Sequence, residues 1–288
     1  MGEKKVAKYF SLVKFSHTIF AMPFAITGFV LGIKNSDEPI HWSLFLLVVL
    51  AMIFARNAAM AFNRWTDKDI DKLNPRTALR EIPAGIVSPG SALFFVILNS
   101  LLFMGTAFLI NKLTFFLSPI ALLVILGYSL TKKFTSLCHF ILGIGLSLAP
   151  IGAYLSVTGS FDLLPLFYSI LVLFWVSGFD MLYSLQDEEF DKSMNLKSMV
   201  VQLGKSGAIK LSVLTHAISF IFIFLIGFKA DFGLWYWIGS FIFAGLLAYQ
   251  HMIIKPNDIS RINLAFATTT GIASIIFAIF NITEMLIR

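Results

Sequence analysis

Two groups of acidic side chains carry the spacing of a shared binding site. Asn63, Asp67 and Asp71 follow one another at intervals of four residues; Asp187 and Asp191 repeat that interval, with Asp180 seven residues before Asp187 and Gln186 adjacent. Residues four apart lie on one face of a helix, about 6 Å apart along its axis. If the helix runs on, each set presents its oxygens in one direction. The offset between the sets is constant, 120 residues from Asp67 to Asp187 and again from Asp71 to Asp191. Carboxylates gathered in this way need a counter-charge. A hard divalent cation supplies it, above all Mg²⁺ held by one or two carboxylates together with phosphate oxygens. Cations that complete a phosphate site stand nearby: Arg64, Lys68, Lys72, Arg76 and Arg80 beside the first set, Lys132 and Lys133 in another loop. An EF-hand fits poorly, because Lys72 occupies the place of the turn glycine and Ala78 that of the bidentate glutamate.

The elements that position these residues belong in a membrane. Of 288 residues 58% are apolar and only 13% are charged, against roughly 25% charged in a soluble domain. Mean hydropathy is +0.84. These values exclude a disordered chain, an ordinary soluble domain and a nucleic-acid-binding surface, and the net charge of +6 is too small to define a polybasic patch. Apolar runs of membrane length predict nine helices, near 17–33, 42–62, 91–110, 113–130, 137–158, 163–183, 208–228, 232–250 and 263–285. The expectation is an all-α polytopic protein, one domain over residues 1–288, with the two acidic sets in loops on one face. The first run reads as a retained helix rather than a cleaved signal.

The basic residues set the orientation. Eighteen of 22 fall at the N-terminus and in alternate loops, leaving Lys34, Lys112, Lys229 and Arg288 on the other side. Lys- and Arg-rich short loops stay cytoplasmic, which places the N-terminus and both acidic sets inside and the C-terminus outside. Nine of the 16 acids then lie in two segments on that face. Arg56 falls within the second predicted span, where a charge costs about 2.5–3.5 kcal/mol, so it is expected to face a polar cavity or a bound anion. Cys138, the single cysteine, excludes an internal disulfide framework and a Cys-based zinc site and reads as a packing residue.

At these positions the chain resembles the UbiA superfamily of intramembrane prenyltransferases. The resemblance rests on Asn63-Arg64-x-x-Asp67-x-x-x-Asp71 and on the run from Asp180 through Tyr183, Gln186 and Asp187 to Asp191, with further likeness around Lys14–His17 and Gly127–Lys133. The Tyr-Ser-Leu-Gln-Asp form is most similar to the 4-hydroxybenzoate polyprenyltransferase branch. The resemblance implies that Asn63, Asp67, Asp71, Asp187 and Asp191 hold Mg²⁺ and the diphosphate of a polyprenyl donor. It also implies diphosphate contacts from Arg56, Tyr128, Lys132 and Arg76, with Gln186 beside the substrate and Asp180 in metal or acceptor placement. The implied reaction transfers the polyprenyl group to an electron-rich aromatic ring, 4-hydroxybenzoate or a related quinone precursor such as a naphthoate, and releases diphosphate. The setting it implies is a bacterial-type inner membrane.

Water must be kept from the allylic cation such a reaction generates, and the abundant Phe, Met and Leu can supply a dry channel, although most of those aromatics read as lipid-facing or packing residues. In one respect the chain departs from the branch. The fifth span carries no Arg or Lys between Gly143 and Tyr154 to hold an acceptor carboxylate; His139 near its start is the alternative, with packing as its competing role. His17 has the same two readings. The rival class is a membrane transporter of an anionic or lipid-phosphate substrate. It should place ionisable groups near the bilayer midplane, whereas here they crowd the helix ends.

Overall fold

The computed structural model describes residues 11–13, 21–36 and 39–288. Lys4, Lys5, Lys8, Lys14 and His17 lie outside the described residues. The chain is all-helical among the described residues, apart from one isolated bridge between Lys255 and Asp258. The helices are α1 Met22–Ser36, α2 Trp42–Thr66, α3 Lys68–Leu73, α4 Pro89–Ile110, α5 Lys112–Thr131 and α6 Cys138–Thr158. They continue with α7 Leu163–Ser184, α8 Glu188–Ser193, α9 Met199–Lys229, α10 Leu234–Ile253 and α11 Thr270–Ile287, the last preceded by a π-helical stretch, Leu264–Thr269. Among the described residues, seven helical segments are long and apolar enough to cross a membrane.

Local chemistry starts and stops these helices where the polar residues fall. Ser88 caps α4 by accepting from Ser91 N at 3.1 Å, with Pro89 in the first turn. Asn111 joins α4 to α5: its Oδ1 accepts from Thr114 N, and its Nδ2 donates to Leu155 O on α6. Asp162 and Ser198 cap α7 and α9 in the same way. Gly159 ends α6 with φ +62°, a conformation that only glycine adopts without strain. Helix α9 joins a short first helix to the apolar span expected from 208, and Gly204, at φ +69°, kinks the chain between the two.

The two acidic segments repeat each other in backbone as well as in sequence. Asp67 interrupts the helical path after α2 (φ −99°, ψ 4°), and Asp187 does so after a 3₁₀ turn, Leu185–Asp187, at the end of α7 (φ −101°, ψ 0°). Each is followed by a six-residue helix, α3 or α8, whose limits differ by the same 120 residues. The first set is therefore not one continuous helix, as its spacing suggested; it bends at Asp67.

Lipid offers helices no hydrophobic reason to associate, so close packing of small residues does that work. Gly28 of α1 lies against the Pro150 carbonyl of α6, and Gly178 of α7 against His216 of α9. A Cβ on Gly143 of α6 would stand 2.5 Å from Leu173 O of α7. Helix α7 is the most enclosed span. Its Trp175 ring packs at 5.1 Å from Phe24 of α1 and 5.8 Å from Phe243 of α10, and Phe243 lies 5.1 Å from Phe277 of α11. These tilted aromatic pairs are each worth about 0.5–1.5 kcal/mol beyond area burial. The core thus fixes α7, which carries Asp180 and leads into Asp187.

Candidate active site

At one end of the bundle the loops after α2, α5 and α7 close over a polar cavity of about 290 Å³. Its wall takes Asn63, Asp67 and Asp71 from one side and Asp180, Asp187 and Asp191 from the other, with Tyr128 and Lys132 between them. The loops are stitched to one another. Lys197 N donates to Lys132 O at 2.8 Å, and Lys133 Nζ donates to Thr66 O at 3.3 Å.

Arg76 ties the two acidic segments together. Its Nε and Nη2 donate to the two oxygens of Asp187 at 3.0 and 2.7 Å, and its Nη1 lies 3.4 Å from the Tyr183 hydroxyl. Arg80 grips both oxygens of Asp71 at 2.7 and 2.8 Å, and Lys132 stands 2.8 Å from Asp191. Asp67 has an amide partner instead, Asn63 Nδ2 at 3.1 Å. Burial, reinforced by the Asp71 charge, pushes the Asp67 carboxyl up to about 6. Asp180 has a different partner again: His139 Nδ1 at 2.6 Å.

The donor set fits Mg²⁺. Asn63, Asp67, Asp71, Asp187 and Asp191 offer only hard oxygens, and Asp191, 1% exposed, has a buried Oδ2 with no hydrogen-bond partner. Among the described residues no three His, Cys, Asp or Glu side chains are gathered closely enough to cage a metal alone.

A second, apolar cavity of about 400 Å³ adjoins the first, sharing Met60, Tyr128 and Leu142 with it. It runs between α2, α5 and α6. On α5 it extends from Tyr128 to Thr114, about 21 Å at 1.5 Å per residue. Small residues make the room: Ala51, Ala55 and Ala59 on α2 face Gly145, Ala149 and Gly152 on α6. Among the described residues, Phe103 and Phe161 are the phenylalanines that line it, and most of the other described aromatic rings lie elsewhere. Arg56 lines this second cavity rather than the first, and its buried Nε has no partner.

The UbiA prenyltransferase family model matches residues 21–279. The chain belongs to that family. Among its curated relatives, the 4-hydroxybenzoate octaprenyltransferase of Aliivibrio fischeri (strain MJ11) is 27% identical over 82% of each chain. That of Herminiimonas arsenicoxydans is 24% identical over 93% of this chain and 94% of its own. Among solved structures, a UbiA homolog from Aeropyrum pernix K1 superimposes with a TM-score of 0.80 at 29% identity, covering 94% of this chain and 97% of that one. A UbiA homolog from Archaeoglobus fulgidus bound to DMAPP and Mg²⁺ shares the fold, with a TM-score of 0.71 at 21% identity over 98% and 100% of the two chains.

In this UbiA chain the polar cavity gathers Asn63, Arg64, Asp67, Asp71, Arg76, Arg80, Tyr128, Lys132, Lys133, His139, Asp180, Asp187 and Asp191, whereas Lys68, Lys72 and Gln186 do not line it and Arg56 lines the cavity beside it. Gln186 folds back, its Nε2 donating to Tyr183 O at 2.9 Å. Other lining residues had no signal in the sequence. Asn74 orients Arg76 by accepting from its backbone N at 3.0 Å, and Thr77 Oγ1 donates to Asp71 O. Phe266 reaches the cavity from the π-helical stretch, packing 4.1 Å from the Tyr183 ring. The extra residue per turn of a π-segment re-aims side chains and recurs at functional sites; no periodicity in the sequence announces it.

Proposed function

We propose that this chain transfers a polyprenyl group from polyprenyl diphosphate to the ring of 4-hydroxybenzoate or a related quinone precursor, releasing diphosphate. The relatives named 4-hydroxybenzoate octaprenyltransferase support the acceptor class. The observation that carries the reading is the junction of the two cavities. A carboxylate- and cation-lined chamber suited to diphosphate opens at Tyr128 into an apolar passage suited to an isoprenoid tail. Burying each prenyl CH₂ contributes about 0.8 kcal/mol, so the passage supplies affinity as well as water exclusion.

The roles follow from position. Asn63, Asp67, Asp71, Asp187 and Asp191 would hold Mg²⁺, which when bound supplies positive charge against the departing diphosphate. Arg76 and Lys132 already stand on the acids of the second set, so they face phosphate oxygens held there. Arg56 and Tyr128 guard the join, where the donor's C1 passes from polar to apolar surroundings. The small-residue wall below them keeps water from the allylic centre.

The setting follows from the same residues. We read nine membrane-spanning helices in a single domain, adding α1 and α10 to the seven segments long and apolar enough by themselves. The basic loops then place the site and the N-terminus on the cytoplasmic side of a bacterial-type inner membrane. Removing one carboxylate from each set tests the assignment. Asp67→Ala and Asp187→Ala should each lower Mg²⁺-dependent turnover by at least about 10²-fold while the protein still inserts and purifies. Unchanged turnover in both would sink the metal assignment.

A further inference from the structure

Aromatic prenylation leaves one chemical task that the diphosphate side of the site does not perform. After the ring carbon has bonded to the prenyl C1, the proton on that carbon must leave, and something must take it. The acids of the cavity divide by partner. Asp71, Asp187 and Asp191 are engaged by Arg80, Arg76 and Lys132, and Asp67 sits beside Asn63 among the oxygens suited to metal. Asp180 alone among them is paired with an imidazole, His139 Nδ1 donating to its Oδ2 at 2.6 Å.

The burial of this pair is asymmetric. The His139 side chain is 3% exposed and its Nε2 has no partner, whereas the Asp180 side chain is 25% exposed and lines the chamber. The imidazole therefore stands behind the carboxylate. With Nδ1 as the donor it holds one oxygen of Asp180, and Oδ1 is left for a ligand. His139 is itself fixed. Ser177 Oγ reaches its backbone oxygen at 3.3 Å, and Gly143, one turn along α6, brings the helix against Leu173 of α7.

The surroundings suit a flat ring. Leu142 lies at the mouth of the apolar passage, and the Tyr183 and Phe266 rings form an aromatic wall at the same chamber. A ring seated there would have the donor's passage on one side and Asp180 on the other.

We propose that Asp180 is the base that takes the ring proton, and that His139 is the residue that positions it. The inference rests on the aromatic prenyltransferase reading above. The C1–O bond of the donor breaks and its electron pair leaves with diphosphate. A π pair of the acceptor forms the C–C bond to C1. The C–H pair at that carbon then returns to the ring, and the proton passes to Asp180 Oδ1. Substrate and base account for every atom and charge, and no further reactant is needed.

The test uses the purified full-length protein with Mg²⁺, geranyl diphosphate, and 4-hydroxybenzoate either unlabelled or deuterated at the two carbons beside the hydroxyl-bearing carbon. In the wild type the isotope effect should be near unity, as it is when a step before proton loss limits the rate. Asp180→Asn should slow prenylation about 10²–10⁴-fold, the usual contribution of a positioned base, and expose a primary isotope effect because proton loss has become limiting. His139→Leu should lower kcat in the same direction with the same isotope signature. His139→Asn, which keeps a donor close to the Nδ1 position, should recover part of the loss. Binding of a non-hydrolysable prenyl diphosphate analogue with Mg²⁺ should be retained in all three variants, which marks them as folded.

Wild-type turnover in Asp180→Asn would overturn the assignment. So would slowed turnover with no isotope effect in a variant that still binds the analogue, or loss of analogue binding in Asp180→Asn, which would place Asp180 on the diphosphate side. Failure of the wild type to prenylate any ring would instead remove the underlying reading, and the two failures are distinguishable in one set of assays.

Discussion

At the scale of single residues, the charge arrangement sets measurable energies. The Asp67 carboxyl is raised to about 6 by burial and then by Asp71, so above that pH its ionised form is a cost to the metal-free fold. Asp67→Asn should therefore abolish turnover yet raise metal-free stability at pH 7 by about 2 kcal/mol, once the two-unit shift is discounted for screening. The sign is fixed by the direction of the shift. The advantage of the variant is complete above about pH 6, shrinks as pH falls towards the ordinary carboxylate value, and vanishes below it. Thermal unfolding in detergent across pH 4 to 8 reads this directly, and equal midpoints at pH 7 would contradict it. Arg76 gives a second case. It holds Asp187 through two parallel hydrogen bonds, a geometry lysine cannot copy. Arg76→Lys should raise KM for the donor by about tenfold or more, from loss of the bidentate contact, and steady-state kinetics with varied donor checks it.

At the scale of elements, two close approaches carry function. Helix α6 can deliver His139 to Asp180 only because Gly143 lets its backbone approach α7. Gly143→Val should push the helices apart and cost about 1–3 kcal/mol as overpacking does, with activity falling before the fold is lost. In the apolar passage Gly152 has open space where a Cβ would go. Gly152→Phe should lower kcat/KM for a long polyprenyl donor by at least about tenfold relative to geranyl diphosphate, and equal losses would argue against the passage as the tail site. How much of this was legible beforehand differs by element. The acidic sets declared themselves through interval and offset, since charge in a membrane protein is scarce and its placement informative. The limits of most spans followed from hydropathy. The bend at Asp67 did not, because a four-residue interval reads the same across a break. The short helix before the Gly204 kink carries no apolar run to announce it, and Phe266 was hidden by the π-segment that aims it. His139 was visible as a candidate, but its partner is an Asp 41 residues away on another helix, a contact no local pattern encodes.

At the scale of the whole molecule, the repeated bend-and-helix unit at 67–73 and 187–193 puts two equivalent acidic corners at one end of the bundle. Between them lies the chamber, and beside it a passage reaching about 21 Å along α5, most of an apolar bilayer core of about 30 Å. On the function proposed above, such an arrangement would perform the chemistry at the membrane surface and hold the tail within the membrane. It requires both acidic corners on one side, so a C-terminal reporter should report the opposite side from a tag placed in the 74–88 loop; the same side for both would contradict nine spans. The central claim concerns the reaction itself. The most direct measurement is mass spectrometry of the products formed by purified protein with Mg²⁺, a polyprenyl diphosphate and a panel of hydroxybenzoates and hydroxynaphthoates. The expected product is an acceptor carrying one prenyl group on a ring carbon, with one diphosphate released per product and none formed when Mg²⁺ is chelated. Diphosphate release with only prenyl alcohol formed across the panel, or no turnover at all, would contradict it.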